Sequence, residues 1–162
     1  MIELSAIGAE FLAAGRNGGP DVLVNWWLSG RLDREELRRH ITAVWQLAEW
    51  PAALGIRTWV TMFREAGFIS DTDEPVPDYP LTVYRGTTWG RRRGMSWTTD
   101  IDRARWFAAR WQLRGERGEV FTAIVPPAAV LALVGDPENH NEEEVVVDPA
   151  MLPPLGLSAL IV

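Results

Sequence analysis

The sequence predicts an α+β fold in which N-terminal helices pack on a mixed, mainly antiparallel β core. Apolar residues recur at helical spacing through the first 66 positions, whereas short β-branched runs punctuated by Gly and Pro follow residue 81. Between them, residues 70–80 hold four acids and three prolines, which disfavour both helix and central strand. We therefore expect a helical N-terminal region over residues 1–75, integral to the same domain, and a β core over residues 76–162.

Composition removes several kinds of chemistry. The chain of 162 residues has the length of one domain, and it has no Cys, which excludes disulfides, thiolate nucleophiles and zinc–thiolate sites. All 16 basic residues are Arg, so Schiff-base chemistry and phosphate loops that need Lys are excluded as well. The N-terminus shows neither a basic region nor a long apolar run, which predicts a soluble, cytoplasmic protein without a signal peptide.

Helix-start and helix-stop signals divide the N-terminal region. Ser5 caps a first predicted helix that ends in the glycines of residues 15–19, and Pro20 suits the first turn of a second helix to residue 28. Asp33, followed three positions later by Glu36, is typical of a capping box at the start of a third helix. A fourth apolar stripe ends at residue 66. Trp and Met at helical spacing are usually core residues, and we expect that role for them.

The predicted β core over residues 76–162 consists of strands and one helix. Residues 101–113 predict a helix with Asp100 as its N-cap, and residues 127–133 fit either helix or strand. One helical face would carry Ala104, Phe107, Ala108 and Trp111. We expect strands over residues 81–84, 95–98, 120–125, 144–147 and 157–162.

Charge is unevenly distributed along the chain. Residues 85–118 contain nine Arg and three acids, a local net charge of +6 in a protein whose total is −6. A basic segment inside an acidic chain favours a local anionic ligand over general binding to a nucleic-acid backbone.

Three consecutive carboxylates precede a β-branched run in residues 139–149, Asn-His-Asn-Glu-Glu-Glu-Val-Val-Val-Asp-Pro. They are predicted at the beginning of a strand, where alternation places Glu142 and Glu144 on one side and Glu143 on the other. A solvated acidic strand end is the simpler alternative. A calcium loop built from Asp136, Glu138 and these glutamates would lack the required alternating spacing, so we expect no metal.

Three short motifs follow one another in the β region: Tyr84-Arg85-Gly86, Ser96-Trp97-Thr98 and Glu142-Glu143-Glu144, with Phe107-Ala108 on the helix after the second. In this order they resemble the R-S-E class of mono-ADP-ribosyltransferases, over residues 81–149. The resemblance implies that NAD is a substrate. Its nicotinamide–ribose bond would be cleaved and ADP-ribose passed to an acceptor.

The resemblance also implies roles for individual residues. Arg85 would grip the NAD pyrophosphate, and Glu144 would stabilise positive charge on the ribose. Ser96 and Thr98 match the family's second motif on the NAD side, and the Ser96 hydroxyl, on a neighbouring strand, would donate to Glu144 and orient it. Gly86 would let the backbone approach the nicotinamide amide. Trp97 or Phe107 would stack on the nicotinamide ring, and the alternative for both is a position in the core. The alternative for Arg85 is a structural ion pair, and that for Ser96 is an ordinary hydroxyl on a strand.

The first glutamate of the acidic motif bears on the acceptor. In the family a Glu at the position of Glu142 accompanies modification of arginine, so a protein arginine is the expected acceptor. An NAD glycohydrolase and a nucleic-acid ADP-ribosyltransferase remain as enzymatic alternatives. A non-enzymatic interaction or inhibitor protein with a degenerate transferase fold is the third possibility. A bacterial toxin, a phage-encoded modifier and a defence effector would all share this pattern.

Overall fold

Helices occupy the first part of the chain and strands the second, in a computed structural model that describes residues 6–49, 51–136 and 139–158. Of residues 52, 136 and 139–143 it describes the backbone alone. The chain divides into two compact units, Met1–Gly67 and Phe68–Val162. No helix among the described residues combines the length and the apolar character that crossing a membrane requires.

The first unit consists of α1 (Ala6–Leu28), α2 (Arg34–Leu47) and α3 (Ile56–Ala66), with a 3-10 turn, Pro51–Leu54, before α3. Its core is aromatic: the ring of Trp45 meets that of Trp59 edge-on, with centroids 5.1 Å apart, and that of Phe63 at 5.8 Å. The expected core role of these helical aromatics is therefore confirmed, since Trp59 and Phe63 are almost fully buried.

Local signals locate the start of α2 and misplace one boundary, whereas the predicted cap at Ser5 lies outside the described residues. The Asp33 capping box is present, with the Asp33 carboxylate accepting from the Glu36 amide at 2.9 Å. In α1, however, the two predicted helices are joined, and the break is confined to Gly15, whose φ is 66°. Glycine tolerates that dihedral without strain, so a kink replaces the predicted loop over residues 15–19. Pro20 then lies inside α1.

The second unit is built on one seven-stranded sheet in the order β1-β5-β6-β3-β2-β4-β7. All neighbouring strands are antiparallel except β1 and β5, so the expected mixed, mainly antiparallel core is confirmed. The strands are β1 (Ile69–Ser70), β2 (Leu81–Thr88), β3 (Ser96–Thr98), β4 (Gly118–Val125), β5 (Val130–Asp136), β6 (Asn139–Val147) and β7 (Gly156–Ser158).

Two strands are longer than the sequence predicts. All eight residues of β2 pair with β4, from Leu81 opposite Val125 to Thr88 opposite Gly118, because the partner strand supplies hydrogen bonds across the unfavourable Gly86. β6 begins at residue 139 and pairs with β5 from there. The Tyr84-Arg85-Gly86 motif and the three glutamates therefore lie within strands and not at their ends, which corrects the prediction. Residues 159–162 of the predicted last strand lie outside the described residues.

Helix α4 (Ile101–Leu113) has the predicted bounds, and the Asp100 carboxylate caps it by accepting from the amides of residues 102 and 103. It packs against the sheet at two glycines. A Cβ on Gly86 would lie 1.7 Å from the Ala104 carbonyl oxygen, and one on Gly118 would lie 1.9 Å from that of Ala108. Close contact between helix and sheet thus depends on these glycines.

The opposite face of the sheet carries the main hydrophobic core of this unit. Trp97 of β3 packs there beside Val83 of β2, Phe121 of β4 and Val145 of β6. The chain after β6 is held by Arg93, whose guanidinium donates to the carbonyl of Leu152 at 2.8 Å. The core therefore spans the central strands that carry all three sequence motifs.

Candidate functional site

The three motifs meet on the central strands β2, β3 and β6. Strand pairing aligns Tyr84 with Thr98 and Thr98 with Glu144, so that one row of side chains crosses three strands. Residues directly opposite each other on antiparallel strands have Cβ atoms about 4.5–5.5 Å apart. Segments separated by 60 positions in sequence are thereby brought together.

A cleft of about 280 Å³ lies between these strands and α4. Glu144 contributes a half-buried carboxylate to it, and α4 contributes Arg103 and Phe107. The cleft is lined entirely by residues of the second unit: Tyr84, Arg85, Gly86, Thr87, Ser96, Trp97, Thr98, Arg103, Phe107, Trp111 and Glu144. Seven of the eight residues that the sequence selects therefore border one space.

Arg85 is fixed by backbone carbonyls at the beginning of β3. Its guanidinium donates from NH1 to the carbonyl of Ser96 and from Nε to that of Arg91, at 3.2 Å for the second bond. Burial lowers the pKa of Arg85 to about 10, and the charge of Glu144 opposes that shift. The group therefore remains cationic at neutral pH. Two of its five N–H groups are used, which leaves at most three for a ligand phosphate.

Strand alternation separates the side chains of Arg85 and Glu144. Arg85 lies opposite Phe121 on β4, on the face of the main core, whereas Glu144 shares its row with Thr98 and Tyr84 on the face covered by α4. The two charges still interact, because Glu144 raises the pKa of Arg85. Arg85 thus borders the site beside the first residue of β3 and is not part of the row that contains Glu144.

Thr98 and not Ser96 lies directly opposite Glu144. Ser96 is aligned with Val146, which makes it the diagonal neighbour of Glu144. The Thr98 hydroxyl accepts from the amide of Asp100 at 3.1 Å, and its own hydrogen remains for donation across the strands. The pairing of β3 with β6 is as expected from the sequence, but register makes Thr98 the nearer partner for the carboxylate.

The remaining predicted contacts differ from one another. The indole of Trp97 is 2% exposed and donates to the Gly94 carbonyl, so it takes the core position that the sequence left open. Phe107 is 39% exposed beside the cleft. The packing of α4 already requires that residue 86 have no side chain, because a Cβ on Gly86 would overlap the backbone of α4.

Glu142 and Glu143 lie in β6, but their side chains are outside the described residues. Their predicted roles therefore stay predictions. Within the part of the chain that the structure describes, no group of His, Asp or Glu is arranged to hold a metal ion.

Sequence reasoning missed four residues that line the cleft: Arg103, Trp111, Tyr84 and the buried Thr87. Arg103 and Trp111 lie on α4 at positions i and i+8, with Phe107 between them, so that all three share one side of the helix. Tyr84 is half-buried against the small core between α4 and the sheet. Because positions 103, 107 and 111 are four residues apart on a predicted helix, the selection of Phe107 could have identified Arg103 and Trp111 from the sequence.

Glu144 also borders a second, larger cavity of about 520 Å³. One wall is the proline-rich connector over residues 72–79, and the other includes Val134 of β5 and Val145 of β6. The connector adds the carboxylates of Glu74 and Asp78. Glu144 thus stands between two separate spaces.

The site as described has a half-buried carboxylate, a fixed cation close to it, a hydroxyl in register and an exposed aromatic ring. Such a set can bind a cationic or sugar-containing group beside the carboxylate and an anionic group beside arginine. Comparisons with protein-family models, curated proteins and solved structures find no match for this chain.

Proposed function

We propose that this chain is a mono-ADP-ribosyltransferase that cleaves NAD at the nicotinamide–ribose bond and transfers ADP-ribose to a protein arginine. The observation that carries the proposal is the alignment of Thr98 with Glu144 in a cleft that Arg85 also borders. These residue types come from the three motifs that resemble the transferase family. Their meeting in one cleft supports a common role.

Glu144 would act on the ribose. When the glycosidic bond breaks, its electron pair leaves with nicotinamide and positive charge develops on the sugar. A carboxylate held beside that sugar stabilises the transition state more than the ground state. An acceptor nitrogen then forms the new bond to the same ribose carbon and loses a proton. Thr98 would orient Glu144 by a hydrogen bond across the strands.

The cleft volume suggests which end of NAD it receives. At about 280 Å³ it lies near the lower limit of ligand pockets, so we assign it nicotinamide and the attached ribose. Phe107 would stack on the nicotinamide ring. Arg85 and Arg103 would supply positive charge for the pyrophosphate outside it, with Arg85 offering only the N–H groups that its carbonyl partners leave.

The acceptor assignment rests on Glu142. A carboxylate at this position would orient a guanidinium and take its proton, as the family pattern implies for arginine acceptors. A water molecule in place of arginine would give an NAD glycohydrolase, which differs only in the acceptor.

The proposal is tested by measuring nicotinamide release from NAD by wild type and by Glu144→Gln. Removal of one charge-stabilising group from an active site lowers kcat by about 10²–10³-fold. Glu119→Gln is the matched control, because Glu119 is also a half-buried strand glutamate but does not border the cleft. Equal turnover by wild type and Glu144→Gln would contradict the role of Glu144.

Binding is measured separately by thermal denaturation. NAD at about a hundredfold its Kd should add about 2.7 kcal/mol to the free energy of unfolding. Absence of any stabilisation at millimolar NAD would favour a non-enzymatic protein. Glu142→Ala should retain hydrolysis while losing transfer to a small guanidine acceptor such as agmatine; if both activities fall together, Glu142 has a different role.

A further inference from the structure

Two tryptophans of α4 are each contacted by two arginines. The guanidinium groups of Arg103 and Arg110 both lie 4.8 Å from the ring centroid of Trp106. Those of Arg91 and Arg114 lie 4.6 and 5.6 Å from that of Trp111. We call these six residues the arginine–tryptophan surface. Cation–π attraction holds the planar guanidinium groups beside the indole rings.

This surface presents an indole and several guanidinium groups to solvent. Ala104 and Ala108 are the fully buried residues of α4, and they face the sheet. Trp106 is 48% exposed, and Arg110 and Arg114 are exposed as well. Positions 103, 106, 110 and 114 recur every three or four residues, so they form one stripe along the helix. A helix side that only needed solvation would not require a half-exposed indole.

Charge on this surface is incompletely neutralised. Glu116 pairs with Arg91 at 3.2 Å, and Asp102 pairs with Arg105 outside the surface. Within the described part of the chain, neither Arg110 nor Arg114 has a carboxylate partner. Positive charge therefore persists beside the half-exposed indole of Trp106, although the whole protein is acidic.

We propose that the arginine–tryptophan surface binds single-stranded nucleic acid. Unstacked bases stack on indole rings and on guanidinium planes, while arginines contact the phosphates between them. Bases in a duplex are covered by their neighbours, so the aromatic part of the surface selects single strands. A purely acidic protein partner would use the arginines but would gain little from Trp106.

This binding is independent of NAD cleavage, since none of its chemistry involves Glu144. The surface nevertheless adjoins the cleft, because Arg103 and Trp111 belong to both. A bound strand would therefore lie beside the cleft that we assign to NAD.

The test is fluorescence anisotropy of labelled oligouridine and oligothymidine of about 12 nucleotides, titrated with the full chain in the absence of NAD. We expect binding that weakens as salt rises. Arg110→Gln with Arg114→Gln should reduce the slope of log affinity against log salt by about 1.4, at about 0.7 per phosphate contact. Trp106→Leu should weaken binding roughly tenfold by removing a stacking partner.

The matched control is Arg39→Gln with Arg57→Gln, which removes the same charge from exposed positions of the helical unit. It should leave affinity and salt slope close to wild type. Binding of either single strand with these effects supports the proposal, and the RNA and DNA arms show which sugar is preferred. Failure of both strands to bind at low salt would overturn it.

Equal effects of the two double variants would overturn it too, as would duplex DNA or polyglutamate binding as tightly as the single strands. Glu144→Gln provides the separation from the proposed enzymatic activity. It should lose nicotinamide release yet bind the oligonucleotides like wild type.

Discussion

Replacing Gly86 with Ala tests the contact on which the shape of the cleft depends. The new Cβ would lie 1.7 Å from the Ala104 carbonyl oxygen and 2.6 Å from the Ala108 amide nitrogen. Both atoms belong to the backbone of α4, so no side-chain rotation can relieve the overlap. The helix must move away from the sheet by more than 1 Å, since real Cβ contacts are not shorter than 3.0 Å.

The energetic consequence follows from the packing that this movement disrupts. Overpacking a core by one methyl group costs about 1–3 kcal/mol, and displacing a whole helix exceeds the usual range. We expect a loss of at least about 3 kcal/mol. For a chain of 162 residues each kcal/mol lowers Tm by about 2–4 °C, so Tm should fall by roughly 6–12 °C.

The assay is thermal unfolding followed by circular dichroism, with Gly90→Ala as the control. A Cβ on Gly90 meets nothing within 4 Å, and this glycine does not have a positive φ. Its substitution should leave Tm within a few degrees of wild type. A Gly86→Ala protein as stable as Gly90→Ala would show that α4 does not pack against β2 as closely as described.

Two other perturbations address charged groups. Arg85→Lys keeps the charge but loses the fork that binds the carbonyls of Ser96 and Arg91, so urea denaturation should show a destabilisation of about 1–3 kcal/mol; an unchanged urea midpoint would contradict these bonds. In the helical unit, burial lowers the pKa of His40 below 6.5, with the charge of Arg39 acting in the same direction. The unfolded state then binds the proton more readily, so protonation of His40 favours unfolding. The contribution of the neutral His40 to the free energy of unfolding is therefore complete above pH 6.5, and it is lost as the pH falls below 6.5 toward the lower pKa of the folded state. His40→Asn should flatten that pH dependence of Tm, and an equally steep profile in the variant would assign it to other groups.

Local sequence signals located the helix caps well because their partners are only two or three residues away. The Asp33 capping box and the Asp100 N-cap each satisfy amides of the helix that they begin. These interactions need no knowledge of the rest of the chain, and the bounds predicted for α4 are confirmed accordingly.

Strand extents depended on partners that are distant in sequence. β2 continues through Gly86 because β4 pairs with every one of its residues. The two-residue β1 exists only because it pairs in parallel with β5, over 60 positions away. The continuation of β2 over residues 85–88 and the two residues of β1 are each too short to be assigned as a strand on their own.

The candidate site was predictable as a set of residues but not as an arrangement. Motif order indicated Arg85, Ser96 and Glu144, and all three border the same cleft. Which hydroxyl lies opposite Glu144 is fixed by register, and that register selects Thr98. The carbonyl partners of Arg85 are Arg91, before β3, and Ser96, the first residue of β3, and no spacing rule describes this arrangement.

The position of Glu144 between two cavities makes their occupants thermodynamically linked. A ligand in the smaller cleft that interacts with the charge of Glu144 changes the binding free energy of a second ligand that contacts Glu144 from the connector cavity. Linkage requires this change to be equal in both directions. Occupancy of the connector cavity would therefore be measurable as a change in affinity at the cleft, carried by the one carboxylate that borders both.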